Sequence, residues 1–129
     1  MAVQLSHIDH FVLTVADLER TCAFYEKTLG IRRDEFKPGR VALYFGSCKI
    51  NPHPAERTVA DQLPKSPTPG SADICLIAET PIDDIASHLK DCGVDIREGP
   101  SMRSGATGPI MSVYFHDPDN NLIEVSSQL

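Results

Sequence analysis

No stretch of this chain approaches the roughly 20 consecutive apolar residues that a membrane-spanning helix needs, so no such helix is predicted. Positive charge is in short supply: 12 Lys and Arg stand against 18 Asp and Glu, a formal net charge of −6. An acidic surface repels phosphate backbones, which argues against nucleic acid and anionic membrane as partners. The four cysteines, Cys22, Cys48, Cys75 and Cys92, include no CxxC pair. The expectation is therefore reduced, mostly buried thiols in a cytoplasmic protein rather than disulfides or a zinc site. Met1 to His7 shows neither a basic nor an apolar leader region, so no signal peptide is predicted.

What is present is ordinary globular composition. The chain has 129 residues, 41% hydrophobic and 23% charged, which suits a single domain spanning 1–129. Ile8 to Val15 alternates as a β-strand, with His10, Val12 and Thr14 on one face and Phe11, Leu13 and Val15 on the other. Asp17 is suited to cap a helix striped by Leu18, Cys22, Tyr25 and Leu29, which ends at Gly30. Short strands are predicted over 31–36, 41–45 and 49–53, with turns at Pro38-Gly39 and Gly46-Ser47. Pro52 to Gly70 holds five of the ten prolines and reads as an irregular surface linker.

The pattern then restarts. A strand is predicted over 73–78, then a helix striped by Ile82, Ile85, Leu89 and Cys92 and closed by Gly93. Strands follow over 94–97, 111–116 and 121–126, with 101–109 read as a mobile loop and Asp117 to Asn121 as a turn. Laid on the second half, the first half puts His10 on Asp73, Leu13 on Leu76, Gly30 on Gly93, Tyr44-Phe45 on Tyr114-Phe115 and Ile50-Asn51 on Ile123-Glu124. The expected fold is α+β: two paired βαβββ modules forming a curved mixed sheet around a cleft. Module 1 covers about 6–54, the linker about 55–71 and module 2 about 72–128.

Duplication brings equivalent strand positions to one place. Positions 10 and 73 form one such pair and 51 and 124 the other, and His10, Asp73, Asn51 and Glu124 can all offer nitrogen or oxygen to a divalent cation. His53 shares a face with Asn51 and is a candidate substrate contact. Arg103 could hold a substrate carboxylate, against the alternative of a solvated loop arginine.

Three segments together resemble the vicinal oxygen chelate (glyoxalase/bleomycin resistance/dioxygenase) superfamily: Ile8-Asp-His-Phe-Val-Leu-Thr-Val15, Phe24-Tyr-Glu-Lys-Thr-Leu-Gly30 and Tyr114-Phe-His-Asp-Pro-Asp-Asn-Asn-Leu-Ile-Glu124. The likeness covers nearly the whole chain and is greatest to small single-domain glyoxalase domain-containing proteins. It implies a homodimer, with a site that in many members is shared between subunits, and a divalent metal (Zn, Ni, Mn or Fe) that chelates adjacent substrate oxygens. His10 matches the family's first-strand histidine and Glu124 its terminal glutamate, which the resemblance makes ligand or general base. Asp73 stands where many members have a second histidine, and Asn51 where glyoxalase I has an acidic ligand. The activity implied is a glyoxalase-like lyase or isomerase acting on a small oxygenated metabolite. The alternatives are an extradiol-type dioxygenase and a non-catalytic binding or resistance protein.

Overall fold

In the computed structural model, residues 2–56 and 63–129 are described. The middle of the expected linker, 57–62, lies outside them. The chain divides into two compact units, Met1–Pro67 and Thr68–Leu129.

The first unit runs β1 (His10–Val15), α1 (Leu18–Leu29), β2 (Arg32–Lys37), β3 (Arg40–Phe45) and β4 (Cys48–Pro54). Its sheet has the order β1-β4-β3-β2, with β1 parallel to β4 and the other neighbours antiparallel. Asp17 caps α1 by accepting a hydrogen bond from the Arg20 N–H at 3.1 Å. Gly30 ends it in the left-handed region at φ 63°, where its N–H reaches the Glu26 carbonyl. One face of the sheet is covered: Leu13, Val15, Leu43 and Ile50 are buried, as are Cys22 and Tyr25 of α1. Arg33 on β2 donates twice to the Glu19 carboxylate, both at 2.7 Å, and so fastens the edge of the sheet to the start of the helix.

The second unit repeats this order as β5 (Asp73–Ala78), α2 (Ile82–Asp91), β6 (Glu98–Gly105), β7 (Gly108–His116) and β8 (Leu122–Gln128). Its sheet runs β5-β8-β7-β6, again with the first and last strands parallel. Ile85 and Leu89 of α2 are buried, along with Val113, Phe115, Ile123 and Val125. The architecture is thus α+β, two βαβββ modules of identical strand order. Among the described residues no helix is long and apolar enough to cross a membrane.

Four expectations are corrected. Residues 94–97 are not a strand; β6 begins at Glu98. The expected mobile loop over 101–109 is instead the hairpin between β6 and β7, closed where Gly105 pairs with Gly108. Its strand was concealed because β6 is polar on the face it exposes and carries few apolar residues to mark a period of two. The register also re-aligns the repeat. Leu43 pairs with Ile50 and Phe115 with Ile123, so Leu43 corresponds to Phe115 and Tyr44 to His116, not to Tyr114. None of the four cysteines is in a disulfide, but only Cys22 is buried and Cys75 is exposed.

A buried carboxylate anchors the second unit. One oxygen of Asp117 accepts the backbone N–H groups of Asp119 and Asn121 at 2.9 Å each, and the other accepts the Asn121 side-chain amide at 2.8 Å. The Asn121 carbonyl oxygen in turn accepts the Ala72 N–H at 2.9 Å, immediately before β5. Gly70 passes so close that an added Cβ would lie 2.6 Å from the Asp119 carbonyl oxygen, and its φ is 87°. Asp117→Ala orphans three donors, two of them buried, and is expected to cost about 3 kcal/mol, with Gly70→Ala also destabilising. Urea unfolding checks this, and a loss under about 1 kcal/mol for Asp117→Ala would remove the anchoring role.

Candidate functional site

A sheet with a helix on one side has a second face that the helix leaves open. On a strand, alternate residues reach that face. In the first unit the register sets out its rows. His10 lies beside Lys49, Val12 beside Asn51 and Thr14 beside His53, and Lys49 is followed by Tyr44 and then Arg32. His10 and Asn51 are therefore diagonal neighbours on one face. In the second unit Asp73 lies beside Leu122 and Cys75 beside Glu124, which in turn pairs with Tyr114. Asp73 and Glu124 are diagonal neighbours in the same sense. Each unit thus brings together one pair of the four candidate ligands, at equivalent stations.

The surroundings of His10 suit a ligand. Its Nδ1 lies 2.7 Å from the Asp9 carboxylate. A carboxylate on one ring nitrogen holds the proton there and leaves the Nε2 lone pair for another partner, the usual support of a metal-bound histidine. The contact also lowers the Asp9 pKa, chiefly through the hydrogen bond to His10. Asn51 is buried, and its Oδ1 has no hydrogen-bond donor among the described residues. A buried acceptor left in that state costs roughly 1–3 kcal/mol, which a cation or donor would recover. His53 lines a pocket with Val12, Thr14, Pro54 and Leu63.

In the second unit Glu124 accepts the Ser112 hydroxyl at 2.7 Å, and Ser112 is 2.6 Å from Ser126. The Cys75 thiol stands 3.5 Å from the Ser126 hydroxyl, and desolvation pushes its pKa up. Asp73 is exposed at the start of β5. Arg103 is a strand residue, not a loop residue: it donates to the Tyr114 hydroxyl at 3.1 Å, to Glu98 at 2.6 Å and to the Met102 carbonyl at 2.9 Å. Those contacts hold its guanidinium across the open face beside Tyr114. Desolvation raises the Tyr114 pKa, the Arg103 contact lowers it, and the Glu124 carboxylate raises it again.

Among the described residues no three His, Cys, Asp or Glu side chains lie close enough together to hold a metal ion. The donors fit a hard or borderline divalent cation as two pairs, nitrogen and amide oxygen in one unit and two carboxylates in the other. The sequence alone does not mark Asp9 or Ser112, and it suggests packing, not a place beside Arg103 and Glu124, for Tyr114. Asp9 could have been found by its place next to His10, and Ser112 and Tyr114 by their even spacing along β7.

Residues 7–125 match the model of the Glyoxalase/Bleomycin resistance protein/Dioxygenase superfamily. The chain is 51% identical over 122 residues to virulence protein STM3117 of Salmonella typhimurium, covering 95% of this chain and 84% of that protein. It is 46% identical to the glyoxalase domain-containing protein RDO1 of Mycosarcoma maydis, covering 93% of this chain and 67% of that protein. The structure superposes on an integron cassette protein from V. cholerae with a TM-score of 0.95 and 48% identity, over 98% of both chains.

The Tyr114 surroundings make a signed prediction. Glu124→Gln removes a nearby negative charge and should lower the Tyr114 pKa, whereas Arg103→Ala removes the contact that favours phenolate and should raise it. NMR titration of ring-labelled tyrosine reads both. Unchanged titration in both variants would show that neither group acts on the hydroxyl.

Proposed function

Because this chain belongs to the Glyoxalase/Bleomycin resistance protein/Dioxygenase superfamily, we propose that it is a metal-dependent, glyoxalase-like lyase or isomerase acting on a small oxygenated metabolite. The observation that carries the reading is the Asp9–His10 pair, in which a carboxylate orients a histidine whose other nitrogen is left for a ligand. The proposed ligands are His10 and Glu124, with Asp73 and Asn51 completing the set. A bound divalent metal (Zn, Ni, Mn or Fe) would supply Lewis acidity toward two adjacent substrate oxygens.

The chain's own residues do the rest. Glu124 is held by the Ser112 hydroxyl, which fixes the carboxylate's direction and leaves it capacity to take up a proton from a carbon beside a polarised carbonyl. Asp9 keeps the proton on the Nδ1 side of His10. Arg103, with Tyr114, offers positive charge on the Glu124 face for a substrate anion. The same reading has the chain act in the cytoplasm as a homodimer with a site shared between subunits, which the family membership and four cysteines outside any disulfide support.

One observation favours a second reading. Glu124 is already hydrogen-bonded within its own unit, as it would be in a metal-free protein that only binds a small molecule. Elemental analysis separates the two. The enzyme reading expects about one transition metal per site, retained by the wild type and lost in both His10→Ala and Glu124→Ala. It also expects Asp9→Asn to weaken metal affinity by about 10–100-fold without removing a ligand. Wild-type protein that neither carries metal nor takes it up on addition would leave only the binding reading. With metal present, turnover assays on thiol–methylglyoxal adducts and on catechols then divide the isomerase from the dioxygenase.

A further inference from the structure

The open face of the first sheet carries more than a ligand pair. Beginning in the His10 row, cations and aromatic rings alternate across three strands. The Arg32 guanidinium lies 4.9 Å from the centre of the Tyr44 ring. Lys49 lies 5.8 Å from that ring and 4.3 Å from the Phe36 ring, and Arg40 lies 5.7 Å from Phe36 on its other flank. The sequence is thus Arg40, Phe36, Lys49, Tyr44, Arg32.

The charge on this chain of contacts is poorly compensated. Arg32 has Asp34 at 3.6 Å, and the Asp9 carboxylate, which feels the Lys49 charge, is hydrogen-bonded to His10. Lys49 and Arg40 have no carboxylate within ion-pair distance among the described residues. A ring face attracts a cation without neutralising it and leaves its N–H groups able to donate. In a protein with net charge −6, three cations gathered around two rings are a local reversal of sign.

The same face has an apolar end. Val12, Thr14 and His53 line a pocket of about 40 Å³, walled by Pro54, Ala55 and Leu63. That is room for about three waters or a small apolar group. Val12 and Thr14 are two and four residues along β1 from His10, so along the strand the pocket begins about 7 Å from the His10–Lys49 row and extends to about 13 Å.

We infer that this face is a bipartite site for small amphipathic carboxylates. The anionic head is met by Lys49, with Arg32 and Arg40 adding positive charge beyond the Tyr44 and Phe36 rings, and the apolar end enters the pocket beside Val12, Thr14 and His53. The inference rests on the reading of the His10 face as the substrate-facing one, and it narrows the substrate from any oxygenated metabolite to an acid with an apolar tail of about one ring's length. A neutral diol or aldehyde would leave the cations unanswered, and a bare small anion would leave the pocket empty.

Three probes test it on the full chain by calorimetry and amide NMR: phenylpropionate, phenylpropanol and propionate. Phenylpropionate is expected to bind at least about tenfold more tightly than either of the others and to shift resonances of Val12, Tyr44 and Lys49. Lys49→Gln should abolish its advantage over phenylpropanol, and Leu63→Ser should reduce its advantage over propionate. Both side chains are at least partly solvent-accessible, so the fold should survive, as circular dichroism would verify. Equal binding of the acid and the alcohol, or wild-type binding by Lys49→Gln, overturns the inference. The metal reading fails separately. Protein that takes up no metal yet separates acid from alcohol retires the enzyme and leaves this site standing. Protein that binds metal without that discrimination overturns this site alone.

Discussion

A four-stranded sheet with one helix packed on it has a covered face and a face that the helix leaves bare, and the strand's period of two assigns every side chain to one or the other. The covered face in each unit is filled by aliphatic and aromatic groups that leave no room for chemistry, such as Leu13, Leu43 and Ile50 in one and Val113, Phe115 and Ile123 in the other. The bare face is released from that packing, and His10, Asn51, Asp73 and Glu124 lie on it. A slip of one residue in β1 would turn His10 inward and Phe11 outward, exchanging a candidate ligand for a half-buried ring. Strand register is therefore what makes a site available at all, and the buried Asp117 carboxylate with Asn121 is the device that sets it at the mouth of β5 and β8.

Much of this could be read from the sequence because its signals are local and periodic. Asp17 and Gly30 mark the ends of α1 by their chemistry, and the structure shows both caps. The order of elements in the two halves is likewise visible in alternating runs of apolar residues. The failures have a shared cause. Strand β6 holds its place by backbone pairing to β7, not by apolar burial, so its sequence resembles a loop. The repeat was matched at Tyr44 and Tyr114 on residue identity, whereas the ladder fixes correspondence by hydrogen bonding and pairs Tyr44 with His116 in position.

The two open faces have diverged although their scaffolds have not. Where the first sheet has Asn51 next to Val12, the second has Glu124 next to Cys75. The first sheet surrounds its pair with cations seated on rings, and the second surrounds its pair with hydroxyls. Duplication conserved the geometry and freed the electrostatics, so one sheet can attract an anion while the other presents carboxylates. Neither property is evident from net charge, which averages over both.

The parallel seam has a consequence for assembly. In each unit the candidate ligands sit on the first and last strands, β1 with β4 and β5 with β8, so the whole unit must be synthesised before they meet. Closing such a long loop is entropically costly and is the slow part of building a sheet. Neither ligand pair can exist in a nascent fragment that lacks the last strand of its unit, and a cation cannot be captured by a site still being made.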